Sequence, residues 1–378
     1  VAEAINQRLT IEFSEEQSML LDTAVSFFSD KSPTSAVRAQ LETEFGFERS
    51  VWNEMVDLGW SSLAIPAEFG GSGLSLAEAV TIAEPMGRHL FSAPLTSTQL
   101  FVQGVLAAGN AAQKADYLGR VCEGAIGTVA LFERDGNWDL STVVCEAVMA
   151  GDSLRLSGVK SLVTDAGVAD FILASVRYQN APALVVLTAS EVPAAARRRE
   201  SVIDETRRSF SLTLEGITVP ANRLIPAAAP AFTAIRNAAL LLLSAEAAGG
   251  TAGVLDLVVD YLNTRTAFGR KIGSFQALKH TCADILVGLE RSRSHVYHAA
   301  TIVAAGGDAE AALRMAKTEA CDTFAFAGDR AIQFHGGFGF TYECDAQLYL
   351  RRSLWLQYWF GDGAHHRKRL ADLLLGHE

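Results

Sequence analysis

Two segments of this chain hold residue types suited to gripping a flat, phosphorylated ligand. The first is Arg265-Thr266-Ala267-Phe268-Gly269-Arg270-Lys271-Ile272-Gly273-Ser274-Phe275-Gln276, which follows a long apolar run. It combines a fork-shaped cation, an aromatic ring, two glycines and an amide. A guanidinium binds pyrophosphate bidentately, and glycine lets backbone come close to a ring. A charged turn between helices has the same composition, so the residues alone leave both readings open. The second is Gln333-Phe334-His335-Gly336-Gly337-Phe338-Gly339-Phe340, where three glycines among aromatics permit close contact with something flat; a bare loop is the alternative. A third feature is Glu246, the one carboxylate in LLLLSAEAAGG. Apolar surroundings raise a carboxyl pKa, as a general base requires, whereas a basic or backbone partner inside a bundle would make it structural.

Other chemistries lack their residues. No GxGxxG follows a strand, and GxxxxGK[ST] and HExxH are absent. His295 and His298 have no acidic partner in their motif and read as surface or core residues, so no metal site is expected. His365-His366, beside Arg367-Lys368-Arg369, reads as a solvated tail face. Arg197-Arg198-Arg199 reads as a solvated loop, with contact to a ligand phosphate as the weaker alternative. Cys122, Cys145, Cys282, Cys321 and Cys344 form no CxxC pair, which favours reduced thiols in a cytoplasm over disulfides or zinc.

Composition narrows the partners. With 32 basic and 43 acidic residues among 378, the formal charge of −11 argues against general nucleic-acid binding and against attraction to anionic lipid. Val1 to Thr10 has no signal-peptide architecture. Mean hydropathy is +0.18, yet the best apolar run, Ala238 to Ala248, is short and contains Glu246, so no membrane span is expected.

The elements that must position these residues fall into three regions, taken as 1–122, 123–226 and 227–378. The first alternates helical patterns with breaks: Ser14 followed by Gln17 spells a capping box, Pro66 and Gly70-Gly71-Ser72-Gly73 interrupt, and a new helix starts near Ser75. The second has short β-branched and aromatic runs, Thr128–Phe132, Ser141–Met149, Asp170–Val176, Ala183–Thr188 and Phe210–Val219, which read as antiparallel strands of a compact β domain. In the third, Ala238–Leu262 is apolar nearly all round and reads as a buried helix. Ser294–Ala305 and Asp308–Gln333 read as two more, with Asp308 as an N-cap.

Taken in this order and context, RTAFGRKIGSFQ and QFHGGFGF resemble the two flavin-contacting segments of the acyl-CoA dehydrogenase family. The resemblance runs along nearly the whole chain: Trp52 to Gly73 (WNEMVDLGWSSLAIPAEFGGSG) is similar to the family's first-domain pattern, and Gly158 to Asp165 (GVKSLVTD) to its GxKxxIT segment. It implies an α+β, mainly α fold: an N-terminal helical domain, a middle β-barrel-like domain and a C-terminal four-helix bundle, assembled as a homo- or hetero-oligomer, a dimer of dimers. It further implies FAD held without a Rossmann domain, α,β-dehydrogenation of an acyl-CoA thioester with hydride passing to FAD, and an acceptor like electron-transfer flavoprotein. Thr164 matches the hydroxyl that faces the flavin ring. Arg265, Phe268 and Gln276 match residues that hold the FAD of a neighbouring subunit, and Gln333, Gly336 and Gly337 match the loop that receives its adenosine part.

The sequence departs from the family where the proton is taken. The family draws its base from a Tyr-Glu-Gly-Thr segment or from a glutamate 26 residues before the flavin arginine. Here the first place holds Trp359-Phe360-Gly361-Asp362 and the second holds Ala239 and Leu240. The middle-domain loop, Leu131 to Asp139, keeps Glu133 and Asp139 but places Phe132 and Trp138 where small hydroxyls are expected. Glu246 is the remaining candidate base, on nearly the same helix face as Ala239 but displaced along the axis by about 10 Å. Two readings follow: a dehydrogenase in its own right using Glu246, or a catalytically silent subunit that completes the FAD site of a partner. A flavin-free scaffold would leave the two glycine-rich segments unexplained.

Overall fold

The computed structural model describes residues 14–376; Val1 to Thr10 lies outside them. Ser14 caps α1 (Glu15–Lys31) with the reciprocal bonds to Gln17 that its spelling predicts. Then come α2 (Thr34–Leu41), α3 (Arg49–Asp57), α4 (Val80–Arg88), α5 (Leu95–Ala108) and α6 (Ala111–Cys122). Ser75 accepts from the Ala77 N–H, opening a short 3-10 turn that runs into α4.

The β region contains β1 (Gly127–Ala130), β2 (Glu146–Ala150), β3 (Ser153–Ser157), β4 (Val159–Thr164), β5 (Phe171–Tyr178), β6 (Ala181–Thr188), β7 (Arg197–Arg199), β8 (Ser209–Thr213), β9 (Thr218–Pro220) and β10 (Leu224–Ile225). The larger sheet runs β10-β6-β5-β2-β3-β9 with β1 also on β5; the smaller runs β4-β8-β7. Two details differ from the sequence expectation. β1 pairs with β5 in parallel, as β2 does at one position, because β1 enters straight from α6 and β5 returns in the same direction. The stretch expected as one strand over Phe210–Val219 is two, β8 and β9, in different sheets.

Helices return with α7 (Ala229–Thr264), α8 (Gln276–Ala304), α9 (Glu310–His335), α10 (Ala346–Tyr358) and α11 (Gly363–Leu375). The helix expected at Ser294–Ala305 is the last third of α8, whose polar opening turns hide it from a hydrophobicity count. Asp308 stands one residue ahead of the N-cap position and accepts from the Glu310 N–H at 3.1 Å. α7 is long and apolar enough to cross a membrane by length and composition, but 94% of its most apolar window is buried inside the protein. It crosses α4 at backbone contact: a Cβ on Gly87 would lie 1.9 Å from the Glu246 carbonyl oxygen, and one on Gly249 1.7 Å from that of Glu84. Hydrophobic burial thus places α7 at the centre, with both candidate-site segments near its C-terminal end.

Candidate cofactor and substrate site

The candidate gripping segment begins at the C-terminal end of α7. Arg265 is the helix's C-cap, and the chain turns back through a two-strand hairpin, Thr266–Ala267 with Arg270–Lys271. Lys271 Nζ donates to the Thr264 carbonyl at 2.7 Å, fixing hairpin to helix end. Phe268 and Gly269 form the tip, both at positive φ (53° and 77°), and the Phe268 ring is 93% exposed. Arg270 stacks on Phe275 at 4.1 Å, whereas Arg265 is exposed with no side-chain partner among the described residues. Gln276, the first residue of α8, is exposed as well.

The glycine segment sits beside this hairpin, because Tyr261 of α7 stacks on His335 at the end of α9, ring centroids 4.1 Å apart. Gln333 lies exposed in the last turn of α9. Gly336 has φ 61° and ψ −139°, a conformation essentially confined to glycine. A Cβ on Gly269, Gly336 or Gly337 would meet nothing within 4 Å, so their outer faces are open. An unpaired guanidinium, a bare ring and open glycines on one surface fit the pyrophosphate and adenosine of FAD arriving from outside this chain.

Thr164 ends β4. Its Oγ1 is buried without a hydrogen-bond partner, while its carbonyl accepts from Thr128 Oγ1 at 2.6 Å. A buried orphan hydroxyl at this strand end fits a flavin ring atom as its partner. The neighbouring loop is folded by the acidic residues it shares with the family. Glu133 accepts from Lys160 Nζ at 2.7 Å, Cys145 N at 3.0 Å and Val144 N at 3.1 Å. Burial alone would raise its carboxyl; those donors hold it below the usual range. Asp139 accepts from the Ser141 hydroxyl at 2.7 Å and its N–H at 3.0 Å.

The two replaced residues face inward. The Phe132 ring meets Phe360 edge-on with centroids 5.0 Å apart, and Phe360 also contacts Trp359 at 5.6 Å. Phe132, Trp138, Leu162, Trp355, Trp359 and Phe360 line a half-open apolar pocket of about 210 Å³. Trp138 and Phe360 also border a polar cleft of about 360 Å³ that holds Arg236, Arg314, Arg369 and Glu310. Two aromatic rings therefore stand between an apolar pocket and a polar approach.

Glu246 is buried, as its apolar run predicts, but it is not isolated. It pairs with Arg207 and, at 2.6 Å, with Arg352 Nη1. Arg352, with no exposed surface, donates from Nε to Asp204 at 2.5 Å and also reaches Thr206 Oγ1 and the carbonyls of Leu90 and Phe91. Burial would lift the Asp204 carboxyl, yet Arg352 and Arg207 hold it below the usual range. Of the two readings the sequence left open for Glu246, the one with a basic partner is found: a buried set of two acids and two guanidiniums. Asp204, Arg207 and Arg352 were not singled out in the sequence. The only hint was paired arginines inside apolar LYLRRSLWLQY.

Two other expectations change. His366 is buried, not solvated; burial, followed by the charges of Lys317 and Arg314, pushes its pKa down to about 3. Arg197 donates to the carbonyls of Val192, Ala166 and Ala189, so it buttresses its own domain, while Arg198 and Arg199 are exposed. His295 is half-buried and His298 exposed. All five cysteines are free thiols.

Comparison with known proteins places these features in context. Residues 14–125 match the family model for acyl-CoA dehydrogenase, N-terminal domain, and residues 236–375 match that for acyl-CoA dehydrogenase, C-terminal domain. Acyl-CoA dehydrogenase IpdE2 of Mycobacterium tuberculosis is 33% identical, with 90% of this chain and 91% of that protein covered. IpdE2 of Mycolicibacterium smegmatis is 30% identical, covering 90% and 93%. Among solved structures, the Tcur3481-Tcur3483 steroid ACAD superposes with a TM-score of 0.85 at 28% identity, covering 96% of this chain and 98% of that one.

Proposed function

Because this chain belongs to the acyl-CoA dehydrogenase family, we propose that it works as a cytoplasmic, base-lacking subunit that completes the FAD site of a catalytic partner chain in an α₂β₂ assembly. The observation that carries this reading is Phe360 lodged against Phe132. A carboxylate is needed at that point to take the substrate's α-proton, within hydrogen-bond reach of it. An aromatic ring supplies no base and fills the approach. The second family position, Ala239-Leu240, is apolar and buried. Glu246 is held by two guanidiniums, and taking up a proton would break both ion pairs.

The other half of the reading is the exposed surface. Arg265, Phe268 and Gln276 would hold the pyrophosphate region, and Gln333, Gly336 and Gly337 the adenosine region, of an FAD seated in the neighbouring chain. When bound, FAD supplies the hydride-accepting chemistry of the reaction. This chain's part is to orient the cofactor from outside and to keep water from its phosphates. Electrons would leave through an acceptor of the electron-transfer flavoprotein type. Oxidation of an acyl-CoA by this chain's own site is the second reading, favoured by one observation, the orphan Thr164 hydroxyl.

The test is expression alone and with acyl-CoA dehydrogenase chains from the same source that keep glutamate at the place of Phe360. Flavin per particle, mass by light scattering and anaerobic bleaching by an acyl-CoA panel would be recorded. The panel would include fused-ring acyl-CoAs, since one similar structure is described as a steroid ACAD. FAD retention and bleaching only in the mixed particle are expected. A flavin-loaded homotetramer of this chain, bleached by an acyl-CoA, would overturn the proposal.

A further inference from the structure

Lys317 is a buried cation outside the candidate cofactor and substrate site. Its residue is 1% exposed, in the first third of α9, and its ammonium faces the end of α10. Nζ donates to the carbonyls of Leu356 at 2.8 Å, Gln357 at 3.2 Å and Gly361 at 2.9 Å. These three acceptors match the three N–H donors of an ammonium. Leu356 and Gln357 lie in the last turn of α10, where carbonyls have no partner within the helix, and the negative end of the helix dipole favours a cation. Gly361 lies on the far side of the bend that ends the helix. One ammonium therefore joins the helix terminus to the residue just past the bend.

Between these anchors stand Tyr358, Trp359 and Phe360. Trp359 is extended (ψ 124°) as the helix's C-cap, and Phe360 is left-handed at φ 61°, followed by Gly361 at φ 107°. A left-handed aromatic residue is strained and persists only where its surroundings hold it. Cys321, one turn after Lys317, adds an Sγ contact of 3.5 Å to the Leu356 carbonyl. Asp322 and Asp362 are the nearby acids, and among the described residues no carboxylate pairs with Lys317 directly. Besides the Cys321 thiol beside it, the cation's partners are backbone carbonyls.

We propose that Lys317 is the positioning residue for side chain 360, the place of the family's base: its ammonium fixes the bend that aims whatever stands there into the space facing Phe132. The clamp holds the bend through backbone carbonyls, not through side chain 360, so it is indifferent to the identity of residue 360. It aims a phenylalanine here and would aim a carboxylate equally well. This assignment concerns backbone geometry and stands apart from whether the chain is silent.

The test uses the full chain, in its assembly if it has one, labelled with 5-fluorotryptophan. Five tryptophans give five ¹⁹F lines, assigned by single Trp→Phe variants. Trp355, Trp359 and Trp138 surround the bend, while Trp52 and Trp60 sit in the N-terminal core. In Lys317→Met, the Trp355 and Trp359 lines should shift or broaden and those of Trp52 and Trp60 should hold. Lys317→Arg, which keeps a donor cation, should restore part of the native positions, and it provides the same reading if the Met variant does not fold. Unmoved Trp355 and Trp359 lines would overturn the proposal, because packing alone would then set the bend. Equal movement of all five lines would overturn it too, since Lys317 would be general structural support.

Discussion

Replacing Glu246 by Gln tests the buried charge set most directly, because the two roles open to that residue lead to opposite results. The amide keeps the shape of the side chain and one acceptor oxygen but removes the charge. Glu246 Oε1 receives both Arg207 and Arg352. A hydrogen bond to a charged group contributes about 1.5–3 kcal/mol, against about 1 for a neutral one. Two bonds weakened together, with two guanidiniums left facing the single charge of Asp204, give a loss of about 3 kcal/mol. An entropy of unfolding of about 2.1 cal/mol/K per residue amounts to about 0.8 kcal/mol/K for the chain, so the melting temperature should fall by about 4 °C. Arg352→Met should cost more, about 3–5 kcal/mol, because it strips Asp204 of its main cation and leaves two buried acids sharing Arg207. Differential scanning calorimetry of the wild type and both variants provides the comparison, with acyl-CoA turnover of the assembly measured alongside. A Glu246→Gln protein that melts within about 1 °C of wild type but loses dehydrogenation by orders of magnitude would refute the structural role and restore Glu246 as the base.

Three further outcomes are expected. His366 is held neutral with a pKa of about 3, whereas an unfolded histidine titrates near 6.5. Below that value the unfolded chain binds a proton that the folded chain does not, so stability should decline as pH falls, by up to about 1.4 kcal/mol per unit. Urea midpoints should therefore drop between about pH 7 and pH 5, and His366→Gln should flatten that part of the profile; an unchanged slope would mean that His366 does not set it. Phe132→Thr combined with Phe360→Glu opens the aromatic barrier and supplies a carboxylate, so anaerobic titration should reveal additional acyl-CoA-reactive sites per assembly; an unaltered count contradicts the barrier. Gly336→Ala should lower the FAD retained by the assembly through about 1–3 kcal/mol of backbone strain, while Gly337→Ala, equally open but at ordinary φ, should lower it less. Equal losses from both would point to crowding by the ligand instead.

What could be read from the sequence was what short stretches of chain determine. The Ser14 cap and the Ser75 start both rest on residues within four positions of one another. The apolar girth of α7 likewise announced its burial. Readings failed where the deciding partner lay far along the chain. For Glu246 a basic partner was one of two open readings, but which residues supply it was not legible, because Arg207 is 39 residues before it and Arg352 106 after it. His366 reads as solvated because its neighbours are basic, yet Arg314, 52 positions earlier, holds its Nδ1 from another helix. The direction of β1 depends on which strand lies beside it, which side-chain alternation does not encode. At the site, that position 360 carries a phenylalanine and no carboxylate was legible from residue type. That Phe132 is the ring against it became visible only with the middle domain folded onto the bundle.

The contact between α4 and α7 bears on how quickly such a chain could find a partner. At Gly87 and Gly249 the two backbones touch, leaving no side chain in between to slide or change rotamer. The N-terminal region is thereby braced against the helix that carries Arg265 at its end, the surface proposed to hold a partner's cofactor. Under the proposed assembly, association through such a surface would be rigid docking, not folding upon binding, with encounter rates in the ordinary range of about 10⁵–10⁷ M⁻¹s⁻¹. Differences in affinity among partner chains would then lie chiefly in how slowly the complex comes apart.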